Sequence, residues 1–271
     1  MTVAEALAAA GIEPREARLL LAEASGFSQA SVIAHPEREL PAEVAARFEE
    51  MTARRRAGEP VAYILGRREF HGLSLAVGPA VLIPRPETEL LVELALERLA
   101  PQASAAALEL GTGSGAIALA LKRRCPRAHV VAVEASAVAL EFARRNGARL
   151  GLEVEFRHGR WFGPCAGERF GLVVSNPPYV AEGDPHLAQG DLRFEPRAAL
   201  VAGADGLDAI REIVSNAGAH LEPGGWLLLE HGFGQERAVR DLFSEAGLES
   251  ISTWPDLAGI ARVTGGRLKS E

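Results

Sequence analysis

The chain has 271 residues, enough for one large domain or for a large and a small one. Hydrophobic residues make up 48% and charged residues 24%, with no uninterrupted apolar run of about 18 residues, so no membrane span is expected. A net charge of -7 argues against binding to long nucleic acids, and two cysteines without metal-ligand spacing argue against a metal site.

Residues 1–68 are predicted to form a small helical domain. Thr2 and Glu5 have the spacing of a capping box, and Pro14 suits a first helical position that Gly26 would follow as a stop signal. The N-terminus lacks a basic segment followed by an apolar one, so we expect no secretory signal and a cytoplasmic location.

Residues 69–85 are predicted to form a β-hairpin that links two domains. Apolar residues alternate with polar or small ones up to Val77, and Gly78-Pro79 favours a turn before Val81-Leu82-Ile83. We therefore place the turn of the hairpin at Gly78-Pro79.

Residues 86–271 are predicted to form an α/β domain. A helix is expected from Glu87 to Leu99, and strand and helix patterns alternate after it. Such alternation indicates a mostly parallel sheet with helices on both faces. The predicted strands are 106–110, 129–134, 153–158, 170–175, 225–231, 248–253 and 260–265.

A glycine-rich turn, Gly111-Thr112-Gly113-Ser114-Gly115, connects the first of these strands to a helix. Glycine permits the tight turn and a close approach of the backbone to a ligand. Glu134 ends the next strand about twenty residues later, where a carboxylate can accept hydrogen bonds from ribose hydroxyls. The pattern predicts a nucleotide-type site.

The spacing of this turn favours S-adenosylmethionine over a dinucleotide. The dinucleotide pattern has its third glycine one residue later, where this chain has Ala116. Glu109 precedes the turn, where its carboxylate would oppose a pyrophosphate but favour the amino or sulfonium cation of the methyl donor. The segment from Glu109 to Gly115 resembles the first motif of class I methyltransferases.

A second loop, Asn176-Pro177-Pro178-Tyr179, follows the strand 170–175 and is expected to face the glycine-rich turn. The Asn176 side-chain oxygen and the Pro177 carbonyl can each accept one N–H of a planar amide or amino group, which holds its nitrogen for methyl transfer. Tyr179 can stack on the same plane. These features leave both nucleic-acid bases and protein amides open as substrates.

The wider sequence is similar to the bacterial release factor glutamine methyltransferases of the PrmC (HemK) type. Matching stretches cover almost the whole chain apart from the first helices. They are residues 60–66 with 69–70, 81–89, 109–120, 174–180, 190–200 and 224–232.

This resemblance implies a substrate-docking helical domain (1–68), a hairpin linker (69–85) and a methyltransferase domain (86–271). It further implies N5-methylation of the glutamine in the Gly-Gly-Gln motif of class 1 peptide chain release factors, with S-adenosyl-L-homocysteine as the second product and no metal. Glycine-loop residues 111–115 and Glu134 would hold the cofactor, residues 176–179 the glutamine, and Trp161 the adenine.

Two positions depart from the family pattern. An aspartate is common where this chain has Glu134, and an acidic residue usually stands where Arg160 precedes Trp161. We expect the first change to preserve ribose binding, whereas the second puts the adenine contacts in question.

Three other functions remain as alternatives. A glutamine methyltransferase of a ribosomal protein would share the catalytic domain, but the segment Pro84 to Glu89 favours release factors. A nucleic-acid amino-methyltransferase is disfavoured by the acidic helical domain, and a non-catalytic cofactor-binding module by the intact Asn176-Pro177-Pro178-Tyr179 loop.

Overall fold

The computed structural model describes residues 1–99 and 106–270. These residues form two compact units. One consists of Met1–Arg67 together with His186–Phe194, and the other contains the rest of the described chain. No helix of the described residues is long and apolar enough to cross a lipid bilayer.

The first unit is helical. The capping box is present, because the Glu5 amide donates to Thr2 Oγ1 (3.2 Å) and the Thr2 amide to Glu5 Oε2 (2.8 Å). Pro14 begins the second helix, and Gly26 ends it in the left-handed conformation. The apolar faces share one core around Leu20, Leu21 and Phe48. The helices are α1 (Val3–Ala9), α2 (Pro14–Ser25), α3 (Gln29–Ala34), α4 (Ala42–Arg56) and α5 (Val61–Leu65).

The segment His186–Phe194 belongs to this unit although it follows the second predicted loop in sequence. Arg55 Nη1 donates to Asp191 Oδ1 at 3.2 Å, and Arg193 Nη2 donates to the Ala57 carbonyl at 3.2 Å. The C-terminal end of α4 thus holds a segment that lies more than a hundred residues away in sequence.

The predicted hairpin is present, but the predicted position of its turn is wrong. Strands β1 (Arg67–Phe70) and β2 (Leu73–Ala76) pair, and the turn is His71-Gly72, with φ of 49° and 73°. Two consecutive residues with positive φ match the twist of a two-residue hairpin turn. No strand forms at 81–83, where the buried Val81 and Ile83 pack as irregular chain.

The second unit is built on a seven-stranded sheet, with strand order β5-β4-β3-β6-β7-β9-β8. The pairs among β3 to β7 are parallel, and β9 is antiparallel to both of its neighbours, so the prediction of a mostly parallel sheet is confirmed. The strands are β3 (Ala106–Leu110), β4 (His129–Glu134), β5 (Glu155–His158), β6 (Phe170–Ser175), β7 (Leu221–Glu230), β8 (Glu249–Pro255) and β9 (Ala261–Arg267).

Helices cover both faces of this sheet. Alternate residues of a strand point to opposite faces. In β6, Leu172 and Val174 join the core that contains α6 and α7, whereas Val173 joins the core that contains α9 and α10. Both faces are therefore buried, as in parallel α/β sheets generally. The helices are α6 (Thr88–Leu99), α7 (Ala116–Arg124), α8 (Ala137–Leu150), α9 (Asp208–His220) and α10 (Glu236–Glu245).

Candidate active site

Three predicted site segments begin at the same edge of the sheet. Leu110 pairs with Val133 of β4 on one side and with Ser175 of β6 on the other. The next residue of each strand is therefore placed at the carboxyl edge, where ligands of open α/β sheets bind. The glycine-rich turn, Glu134 and Asn176 meet there as predicted from strand order.

Backbone geometry explains the glycines of the turn. Gly115 has φ of 86°, and a Cβ at this position would lie 3.3 Å from Ala143 Cα and 3.0 Å from Leu119 Cδ1. A side chain would therefore be strained and crowded. The Gly111 and Thr112 amides both donate to the Val133 carbonyl, at 2.8 and 3.0 Å, which ties the turn to β4.

Glu109 is buried beneath the turn, and the residue is 2% exposed. Its Oε2 atom accepts from Thr112 Oγ1 at 2.6 Å and from the Ala118 amide at 2.8 Å. Burial raises the pKa of Glu109 to about 8, although these two hydrogen bonds lower it. Glu109 therefore holds the turn against α7, in addition to lining the cleft.

Glu134 contacts the turn directly. Its Oε2 atom accepts from the Gly113 amide at 2.8 Å, and its Oε1 atom accepts from the Ser136 amide at 2.8 Å. Each carboxylate oxygen can accept a further hydrogen bond. The side chain is thus fixed in place with acceptor capacity left for a ligand hydroxyl.

Asn146 supports the candidate site and is not among the residues predicted from the sequence. It is fully buried in α8, where it accepts from the Ala76 amide (2.7 Å) and donates to the carbonyls of Ala76 (3.0 Å) and Ser114 (2.9 Å). It therefore supports the glycine-rich turn from below. The available signal was a polar residue within the apolar stripe of α8, at helical spacing from Ala139 and Ala143.

Trp161 lies beside the turn, with its ring Cζ3 atom 3.5 Å from the position of a Cβ on Gly111. Its φ of 46° is unusual for a residue with a large side chain. Its indole Nε1 is buried without a hydrogen-bond partner among the described residues. The preceding Arg160 is exposed and pairs with Glu212 of α9, where Nε lies 3.2 Å from Oε1.

Asn176, at the end of β6, is half-buried and donates from Nδ2 to Thr88 Oγ1 at 3.1 Å. The next residue, Pro177, is buried, whereas Pro178 and Tyr179 are half-buried. The Tyr179 hydroxyl donates to Glu230 Oε1 at 3.2 Å. Both ends of the loop are thus anchored by the side chains of Thr88 and Glu230, which are not among the predicted site residues.

Glu230 ends β7 and is 1% exposed. Burial raises the pKa of its carboxyl to about 7, whereas Thr88 and Tyr179 lower it. Burial and the nearby Glu230 also raise the pKa of Tyr179, which keeps that hydroxyl protonated.

Two further side chains hold the segments around the loop. Gln235 Nε2 donates to the Tyr179 carbonyl at 3.0 Å, and its Oε1 atom accepts from the Gly232 amide at 2.8 Å. The fully buried Glu195 side chain accepts from the Ile83 amide at 3.1 Å and pairs with Arg85. The segment before α6 is thereby fixed beside the loop.

One cleft joins the glycine-rich turn, Asn176 and the segment that leads into α6, whereas Glu134, Trp161 and Tyr179 are not among its lining residues. Among the described residues no group of three or more His, Cys, Asp or Glu side chains is arranged to hold a metal ion. The cleft is lined by Phe70, Leu82, Pro84, Arg85, Thr88, Glu109, Gly111, Thr112, Gly113, Ser114, Ala116, Ile117 and Asn176.

The fold is of the Rossmann-like class and is shared with solved methyltransferases. A crystal structure of a methyltransferase from Pyrococcus furiosus superposes with a TM-score of 0.55 at 20% identity, covering 81% of this chain and 98% of that one. A 16S rRNA N2 methyltransferase of T. thermophilus, solved in complex with AdoMet and guanosine, gives a TM-score of 0.57 at 23% identity over 75% of this chain and 50% of that one.

Sequence comparison identifies the family. Residues 2–66 match the family model of the PrmC N-terminal domain, and residues 87–192 match the methyltransferase small domain. A release factor glutamine methyltransferase from Burkholderia pseudomallei is 50% identical to this chain, and the match covers 98% of this chain and 96% of the relative. One from Pseudomonas aeruginosa is 52% identical, and the match covers 93% of this chain and 91% of the relative. The chain belongs to the release factor glutamine methyltransferase family, which confirms the resemblance found in the sequence.

Proposed function

We propose that this protein transfers a methyl group from S-adenosylmethionine to N5 of the glutamine in the Gly-Gly-Gln motif of class 1 peptide chain release factors. The observation that carries the proposal is the placement of Asn176. It follows β6 directly beside the glycine-rich turn of β3, and it lines the same cleft. The names of the full-length relatives support the choice of substrate.

The residues present fit the methyl donor. Glu134 has acceptor capacity for ribose hydroxyls, and the glycine-rich turn allows a close approach to the methionine end. The unpartnered Trp161 Nε1 is a buried donor, and a ring nitrogen of adenine is an acceptor that could pair with it. When bound, S-adenosylmethionine supplies an electrophilic methyl group.

The second loop acts on the glutamine. An amide nitrogen is a weak nucleophile because its lone pair is delocalised, so the protein must act mainly by positioning it. Asn176 Oδ1 and the Pro177 carbonyl each accept one N–H, which directs the π face of the nitrogen towards the methyl donor. These acceptors stabilise the positive charge that develops on nitrogen, and the acidified proton leaves afterwards. Pro178 stiffens the loop, and Tyr179 packs beside the amide plane.

The helical unit is our candidate for docking the release factor. It matches the PrmC N-terminal domain, and it holds the segment His186–Phe194, which follows the Asn176 loop in the chain. We assign docking to residues 1–68, the link to 69–85 and methyl transfer to 86–271.

A labelling experiment separates this function from its alternatives. The purified protein is incubated with radiolabelled methyl donor and, in parallel, with a release factor, the same factor with the motif glutamine replaced by alanine, a ribosomal protein fraction and duplex DNA. We expect label only on the unmodified factor. Label on DNA or ribosomal protein, or equal label on the alanine variant, would contradict the proposal.

A further inference from the structure

The larger apolar side chains that are exposed on the second unit lie at one edge of its sheet. Among the described residues of this unit they are Val138, Phe233 and Leu257. Val138 is in the first turn of α8, which follows β4, Phe233 follows β7, and Leu257 lies between β8 and β9. Strand β8 runs parallel to β7, because both pair antiparallel with β9. All three side chains therefore lie beyond the carboxyl ends of strands, at the edge that holds the candidate site. Exposed apolar residues that are scattered singly need no explanation, but a set confined to one edge indicates a contact surface.

Phe233 is carried by a tight turn that is hydrogen-bonded to the Asn176 loop. The Gln235 amide donates to the Gly232 carbonyl at 3.3 Å, and the Gly232 amide donates to Gln235 Oε1 at 2.8 Å. Gln235 Nε2 donates to the Tyr179 carbonyl at 3.0 Å. A Cβ on Gly232 would lie only 3.2 Å from Tyr179 Cδ2, so the turn packs against the loop. The turn is thus closed by the same side chain that ties it to the loop.

This support suits Phe233 for binding a partner. The side chain is 80% exposed although the turn that carries it is fixed, so the ring is held in water rather than folded back onto the protein. A side chain on a fixed turn loses little conformational freedom when a partner covers it. An aromatic ring with two side-chain torsions offers a large apolar area at a low entropic cost.

The strand order shows which partner covers this ring. Ser175 of β6 pairs with Leu229 of β7, so Asn176 and Phe233 follow neighbouring strands, which lie about 4.8 Å apart. A stable protein interface covers about 800 Å² on each partner, a patch of roughly 16 Å radius. A protein that places a glutamine at Asn176 therefore covers Phe233. Leu257 lies two or three strands from β6, nearer the border of such a patch.

We propose that Phe233 and Leu257 form a contact surface for the release factor, against which the chain next to the motif glutamine packs while that glutamine lies at Asn176. Phe233 is the centre of this surface. Val138 is not part of it, because it lies on the other side of the glycine-rich turn, beside Glu134 on the cofactor side. This inference rests on the proposed function, because it names part of the surface that recognises the protein substrate.

Four variants test the surface. Phe233→Ala removes the ring, and Phe233→Leu keeps an apolar side chain of similar reach. Leu257→Ala truncates the outer member of the surface. Glu222→Ala is the matched control, because Glu222 is exposed at the amino end of the same strand, β7, on the opposite edge of the sheet. The KM and kcat for the intact release factor, the cofactor Kd and the urea midpoint are measured for each variant.

We expect Phe233→Ala to raise the KM for the release factor by about 10- to 30-fold, as for the loss of one buried aromatic side chain. The kcat at saturating factor should stay within about twofold, because the contact binds substrate and transition state alike. The cofactor Kd should not change, since Phe233 does not line the cleft, and the urea midpoint should not change, since the ring is exposed. Phe233→Leu should restore most of the affinity. Leu257→Ala should raise KM by about two- to fivefold, as for a peripheral contact, and Glu222→Ala should leave it unchanged.

Three results would overturn the inference. They are an unchanged KM for Phe233→Ala, an equal rise in KM for Glu222→Ala, and a loss for Phe233→Ala that appears in kcat or in the urea midpoint instead of KM. Sedimentation of the wild type and of Phe233→Ala tests the other occupant, since a dimer that this variant converts to a monomer would assign the surface to a second copy of the chain. In each case the wild-type protein would still label the release factor, whereas absence of wild-type labelling would contradict the proposed function itself.

Discussion

Replacement of Asn146 by leucine tests whether the glycine-rich turn is supported from α8. The substitution keeps the number and branching of the side-chain heavy atoms but removes four hydrogen bonds, which involve the Ala76 amide, the Ala76 carbonyl, the Ser114 carbonyl and the Arg149 guanidinium. Each typical bond contributes about 1 kcal/mol net, and a backbone group left buried without a partner costs about 1–3 kcal/mol. We expect a loss of about 3–5 kcal/mol in the free energy of unfolding, since Ala76 is only partly buried.

The assay is urea unfolding combined with calorimetric measurement of cofactor Kd. Cofactor affinity should fall as well, because Ser114 belongs to the turn that approaches the ligand. Asn216→Leu is the matched control, since Asn216 is an exposed asparagine in the middle of α9, and we expect a change below about 0.5 kcal/mol. A loss under about 1 kcal/mol for Asn146→Leu, together with unchanged cofactor affinity, would refute this reasoning.

Three further changes probe the site. Asn176→Ala should lower kcat by about 100- to 1,000-fold in a methyl-transfer assay while cofactor Kd changes little, and comparable turnover would contradict the acceptor role. Glu134→Gln should raise the cofactor Kd measured by calorimetry by about 10- to 100-fold, because a hydrogen bond to a charged carboxylate is lost. The matched control Glu141→Gln, at an exposed position, should leave this Kd unchanged. Burial raises the pKa of Glu109 from 4.5 to about 8, so the unfolded state ionises first and stability falls as pH rises through this window. Urea midpoints of Glu109→Gln should therefore decline less than wild type between pH 5 and about 8, and parallel curves would contradict the shift.

The placement of the two candidate ligand-binding loops could be predicted because their information is local. A strand, a turn with glycines or prolines and a following helix are adjacent in sequence, and strand order then brings the carboxyl ends of β3, β4 and β6 together. The same reasoning places Glu134 and Asn176 at this edge of the sheet, and their roles stay predictions.

The supporting residues could not be predicted, because their roles depend on contacts between distant segments. Asn176 and Thr88 are 88 positions apart, and Asn146 and Ala76 are 70 apart. Nothing in the neighbouring sequence indicates that Thr88 or Glu230 lies behind the loop. A polar residue within an otherwise apolar helical stripe is the local signal of a buried supporting side chain. Asn146 shows this signal, because it lies among the buried residues of α8.

The predicted strand ends are wrong where glycine and proline suggest a turn that the paired strands do not make. Gly78-Pro79 suggested the hairpin turn, but the pair His71-Gly72 adopts the two positive φ values that a tight hairpin requires. Strand β7 begins at Leu221 rather than at Gly225, because its pairing with β6 continues across a register shift that accommodates Pro223.

The position of the transferred methyl group tests the central claim most directly. A release factor incubated with this protein and S-adenosylmethionine is digested, and the peptide that contains the Gly-Gly-Gln motif is sequenced by tandem mass spectrometry. Our account predicts one added methyl group on the side-chain amide of that glutamine. An unmodified peptide, or a methyl group on another residue, would contradict it.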